Sequence, residues 1–142
     1  MNGKALSLFE ALQEMKQRKN MTWKSVFEKT GLDEMTVANW RKGVHRPFLS
    51  TFLTVVQALG GKLMICMDGE EMLEIRMDSK AWALFIGDAI ESSGFSFVAF
   101  CESASVGRNM VYSWINSCKT PFLDSIVQVL DKLGMELRIV DA

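Results

Sequence analysis

VANWRKGVHRPFLSTFLTVVQALGGKLMI, residues 37–65, returns 74 positions later as VYSWINSCKTPFLDSIVQVLDKLGMELRI, residues 111–139, with no gap. Ten of the 29 aligned positions are identical, where random pairing would match about one in twenty. The identities include Val37 with Val111, Trp40 with Trp114, and Pro47-Phe48-Leu49 with Pro121-Phe122-Leu123, so the only two prolines coincide. This is an internal duplication. Upstream, identity fades while residue type persists: Thr22 with Ser96, Trp23 with Phe97, Val26 with Phe100, Leu12 with Ile86. The chain divides into a first copy, residues 1–68, a linker or hairpin turn, 69–74, and a second copy, 75–142.

Each copy has the pattern of four helices and a strand. Leu6, Phe9, Leu12 and Met15 share a face at helical spacing and predict a first helix. Thr22 is placed to cap a second helix ending near Gly31, and Asp33 a third ending at Gly43. After Pro47 a fourth helix carries Phe52, Val55, Val56 and Leu59 and stops at Gly60-Gly61, before a strand from Leu63 to Met67. The second copy repeats the order, with helices from about Ser79 to Ser93, after Ser96, from about Gly107 and up to Leu133, then a strand Glu136 to Val140. Asp68-Gly69 is a turn signal that lets Met72 to Met77 fold back as a hairpin strand.

The bulk composition, 49% hydrophobic and 23% charged, is that of a globular chain. No apolar run has bilayer length, which predicts a cytoplasmic protein without a membrane partner. Cys66, Cys101 and Cys118 are odd in number and widely spaced, so they read as buried small hydrophobes. No Gly-rich phosphate loop, carboxylate pair, nucleophile with base or metal-ligand cluster stands out, and the expectation is a non-enzyme without cofactor. His45, the only histidine, reads as a solvated loop residue.

The stretch TWKSVFEKTGLDEMTVANWRKGVHRP, Thr22 to Pro47, resembles the helix-turn-helix of the Cro/cI, lambda-repressor-like or XRE family. Val26, Gly31, Leu32, Val37, Trp40, Gly43 and Pro47 fall on the family's structural positions, and in the second copy Phe97, Phe100, Cys101, Ser105, Val106, Val111 and Trp114 take the same places. The family usually has Gln where Trp23 stands and a small residue at Phe27; Ser105 replaces the turn glycine and Ser117 the helix-ending one. The strands closing each copy are similar to the C-terminal strand of HipB-like antitoxins, which pair across a two-fold axis. The resemblance implies a mainly α protein of two tandem four-helix units, each ending in a β-strand, paired through a small sheet as an intramolecular pseudo-dimer.

By the same resemblance, recognition helices near residues 33–43 and 107–117 would enter the major groove of a double-stranded DNA operator. Glu34, Met35, Asn39 and Lys42 in the first copy, and Arg108, Asn109, Ser113 and Asn116 in the second, are the base-reading candidates. Trp23, Lys24, Arg41, His45 and Arg46, with Lys119 in the second copy, are the phosphate-contacting candidates. Residues 1–68 carry ten Lys/Arg against six Asp/Glu, whereas 75–142 carry six against eight, which predicts that the first copy dominates phosphate attraction. Ala81-Trp82-Ala83-Leu84-Phe85-Ile86 is apolar nearly all round and reads first as a helix packed between the copies, second as a docking face. Two functions follow: a transcriptional regulator of the repressor kind, or an antitoxin-like interaction module whose second copy serves assembly or a protein partner.

Overall fold

Capping side chains and left-handed residues set the helix bounds in a computed structural model that describes residues 3–43, 45–116 and 120–142. The first helix, α1 (Gly3–Arg18), is followed by α2 (Trp23–Thr30), α3 (Glu34–Lys42) and α4 (Leu49–Ala58). Thr22 Oγ1 accepts from the Ser25 amide at 3.1 Å, and Asp33 Oδ1 from the Thr36 amide at 2.9 Å, satisfying amides that have no partner within their helices. Gly31 and Gly43 end α2 and α3 with φ of 75° and 72°.

Strands β1 (Gly61–Met67) and β2 (Glu70–Glu74) then form a hairpin, followed by α5 (Ala81–Glu91), α6 (Phe97–Ser103), α7 (Arg108–Asn116), α8 (Leu123–Lys132) and β3 (Glu136–Asp141). The bounds of α7 and α8 are those of α3 and α4 moved by 74 residues. The molecule is therefore mainly helical, with one small antiparallel sheet in the order β2-β1-β3. Among the described residues no helix is long and apolar enough to cross a membrane.

Three expectations are revised. Asp68 and Gly69 both take positive φ, 51° and 80°, giving the two-residue turn that pairs Met67 with Glu70. The returning strand thus spans 70–74, the supposed linker, rather than Met72 to Met77, and its glutamates border an open sheet edge. On α1 the buried face is Ala5, Leu8, Phe9, Leu12 and Met15, while Leu6 is exposed; a strict three-residue spacing drifts around a 3.6-residue helix, and the real face follows the three-four alternation. Finally, α5 packs chiefly on α6 and α7, and the helix set against the other half of the chain is α1, which meets α8 and β3.

The register of β1 and β3 runs Lys62↔Val140, Leu63↔Ile139, Met64↔Arg138, Ile65↔Leu137 and Cys66↔Glu136. Exchanging each residue for the one 74 away maps this set onto itself, with Met64 and Arg138 facing each other as equivalents. The same holds at the second meeting point. The Leu49 amide donates to the Pro121 carbonyl at 2.8 Å and the Leu123 amide to the Pro47 carbonyl at 2.9 Å. Between these bonds the Phe48 and Phe122 rings stack at 4.7 Å, 12° from parallel. Gly61 leaves room for β3, since a side chain there would meet the Met15 sulfur at 2.9 Å and the Val140 carbonyl at 3.1 Å. The buried apolar residues form one cluster through both halves.

Candidate nucleic-acid interface

Helix α3 is anchored from beneath by Val37 and Trp40, the latter packed with Phe9 and Phe52 at ring separations of 6.1 and 6.2 Å. That burial turns Met35, Asn39 and Lys42 to the opposite side of the helix. Met35 is 59% exposed. Glu34 is exposed on the first turn and lines a shallow depression with Trp23 and Lys24, so these three candidates are brought together. The Trp23 ring stacks on Phe27 at 6.0 Å and carries the Lys16 ammonium 5.5 Å from its centre. Phe27 thus packs along α2 as Trp23's neighbour, and Lys16 joins the basic side chains here without having been marked by sequence spacing. His45 is exposed.

Arg41 is exposed and faces α1, lining a depression with Glu10, Gln13 and Glu14. Arg46 is committed elsewhere. Its Nε and Nη2 donate to the two Asp124 carboxylate oxygens at 2.8 and 2.7 Å, Nη2 also reaches Ser125 Oγ at 3.1 Å, and the guanidinium lies 4.1 Å from the Phe122 ring centre. The Asp124 hydrogen bonds hold the Arg46 pKa above its usual value, with burial opposing. That bidentate pairing holds the guanidinium toward the second half. Asp124 was missed from sequence because its only local signal is an acid in the first turn of a helix, a common dipole-complementing position.

In the second half, α7 rests on Val111 and Trp114, with Trp114 against Trp82 at 6.3 Å. Arg108, Asn109 and Asn116 are exposed on it, and Ser113 Oγ donates to its own helix at the Met110 carbonyl, 2.6 Å away. Lys119, with Ser117 and Cys118, lies outside the described residues. Ser105 occupies the turn position with φ of 57°, the left-handed conformation that Gly31 takes in the first half. Cys66 and Cys101 are buried and unbridged, and burial pushes both thiols up.

The charge asymmetry between the halves also acquires a second meaning. Lys4 pairs with Asp131, Arg18 and Lys19 with Asp141 at 3.0 and 3.3 Å, and Arg46 with Asp124. In each pair the cation comes from the first half and the carboxylate from the second. Part of the excess positive charge therefore faces the other half, leaving Lys16, Lys24, Lys29, Arg41 and Lys42 as cations on or beside α2 and α3. No family model, characterised protein or solved structure matches this chain.

Proposed function

We propose that the chain is a sequence-specific double-stranded DNA-binding transcriptional regulator of the XRE, lambda-repressor-like kind, acting in the cytoplasm as a repressor. In this reading its two halves are tandem helix-turn-helix units joined as an intramolecular pseudo-dimer. The carrying observation is the reciprocal contact of Pro47-Phe48-Leu49 with Pro121-Phe122-Leu123, together with a β1–β3 register that maps onto itself under the 74-residue exchange. Such reciprocal contacts support a reading in which α3 and α7 are related about one approximate axis, the relation that lets a dimer present two helices to successive half-sites. The outward sides then offer Met35, Asn39 and Lys42 from α3, and Arg108, Asn109 and Asn116 from α7. Because the two sets differ, the operator should be an imperfect palindrome. Selection from a pool of random genomic fragments by the full chain, followed by sequencing and footprinting, tests the proposal. One enriched asymmetric site with half-sites about 10 base pairs apart is the expected result; no enrichment above a protein-free control refutes it.

A second reading, an interaction or antitoxin-like module, is favoured by one observation: Leu84, Phe95 and Tyr112 stand exposed together on the second half. It predicts no sequence enrichment in the same selection.

A further inference from the structure

A groove of about 420 Å³ opens between α5, the start of α6 and the outer flank of α7. Its apolar wall is made by Leu84, Phe95, Phe97, Tyr112 and Ile115. Three of these side chains are large and half in water: Leu84 is 55% exposed, Phe95 53% and Tyr112 46%. Phe97 and Tyr112 stack at 4.4 Å, which holds the wall rigid. Asp88 and Glu91, three residues apart and so on one side of α5, supply the polar rim, and none of the described residues lining the groove is basic.

The matching positions 74 residues earlier sharpen the contrast. Leu84 stands where the first half has Glu10, Ile90 where it has Lys16, Tyr112 where it has Ala38 and Ile115 where it has Arg41. Three charged positions have become apolar; Leu84 stands exposed and Ile115 half-buried, whereas Ile90 is buried in the core, while an acid is kept at Asp88 opposite Glu14 and one is added at Glu91 opposite Gln17. A change in that direction weakens any attraction to phosphate and raises the cost of leaving the surface uncovered.

We infer that this groove binds a peptide segment of another protein, with an aromatic or branched aliphatic side chain seated against Leu84, Phe95 and Tyr112 and a neighbouring Lys or Arg meeting Asp88 and Glu91. The charge pattern selects this occupant. A second copy of the same face would set Asp88 and Glu91 against their own duplicates, an unfavourable like-charge contact. The inference goes beyond DNA binding and needs none of the base-reading residues.

The test pans the full-length protein against a phage-displayed library of random peptides, then measures the enriched peptides by fluorescence anisotropy. Expected are peptides joining a large apolar residue to Lys or Arg, whose affinity falls about tenfold or more with Leu84→Glu and again with Asp88→Lys. Both side chains are at the surface, and unchanged melting temperatures identify the losses as losses of binding. No enrichment, enriched peptides lacking basic residues, or binding indifferent to both substitutions overturns the inference. So does reversible self-association in sedimentation that Leu84→Glu abolishes, since the occupant would then be a second copy. DNA binding by the same variants is measured in parallel, so that failure here and failure of the operator reading are separate results.

Discussion

Replacing Arg46 by alanine should destabilise the fold before it affects DNA. Asp124 is 9% exposed, so its carboxylate depends on the Arg46 fork for much of its solvation. Hydrogen bonds to charged groups contribute about 1.5–3 kcal/mol in net stability, and the cation over Phe122 adds about 0.5–1 kcal/mol. Two effects reduce the loss: the stranded carboxylate keeps the α8 N-terminus, worth about 0.3–1 kcal/mol, and Arg46 is itself half exposed, so the pair is partly screened. The net cost is about 2–3 kcal/mol, below the 3–5 kcal/mol typical of breaking a fully buried pair, and lowers Tm by roughly 5–10 °C. Asp124→Ala should cost only about 1 kcal/mol, because the released guanidinium can turn into water. Urea denaturation of both single variants and the double variant measures the order and a coupling of about 1–2 kcal/mol. The phosphate-contact alternative predicts otherwise: Arg46→Ala within about 0.5 kcal/mol of wild type, with DNA affinity reduced and its salt dependence lowered by about one ion. That outcome would refute the assignment of Arg46 to the contact between halves.

Ser105→Gly should raise stability by about 0.5–1 kcal/mol, since Ser105 holds a left-handed φ of 57° that glycine adopts without strain; a lower melting temperature would contradict this. Hydrogen bonds from Arg18 and Lys19 hold the Asp141 carboxyl below its ordinary value of 3.8. Its contribution is therefore present above 3.8 and lost as pH falls through the lower folded value. The melting-temperature gap between wild type and Asp141→Asn should close as pH is taken down through that window, and a gap persisting at full protonation would count against the Arg18–Asp141 contact. Cysteines at Lys62 and Val140, cross-strand partners in the β1–β3 register, should form an intramolecular disulfide under mild oxidation, while Lys62 paired with Arg138 should not; the reverse would mean another register. On a selected operator, Asn39→Ala should alter preference at one or two base positions by about 1–3 kcal/mol, whereas Lys42→Glu should weaken binding most at low salt and lower its salt dependence by about one ion or more; equal, sequence-independent losses would remove Asn39 as a base reader.

What sequence determined was whatever operates within a few residues. Thr22 and Asp33 cap α2 and α3 because a short polar side chain reaches amides three positions on. Gly31 and Gly43 end the same helices, and Asp68-Gly69 turns the chain, because left-handed φ values are cheap only for such residues. The 74-residue offset was legible as a pattern of identities, and with it the candidates Met35, Asn39 and Lys42, since one turn of helix suffices to say which residues oppose Val37 and Trp40.

Tertiary structure decided matters that depend on which distant surfaces meet. No local rule tells Arg46 from the other exposed cations; only the contact between halves places Asp124 2.7 Å from its guanidinium, 78 residues away. The same contact turns Lys4, Arg18 and Lys19 toward carboxylates of the second half, so net charge by half overstates what remains for phosphate. Helix α5 looked like a centrepiece because it is apolar all round, yet α1 lies against the other half and α5 keeps Leu84 in water. Hydrophobicity records that a side chain favours cover, whereas which neighbour provides it is set by the relative placement of whole elements. That placement is a property of the packed core and is encoded in no single stretch of the chain.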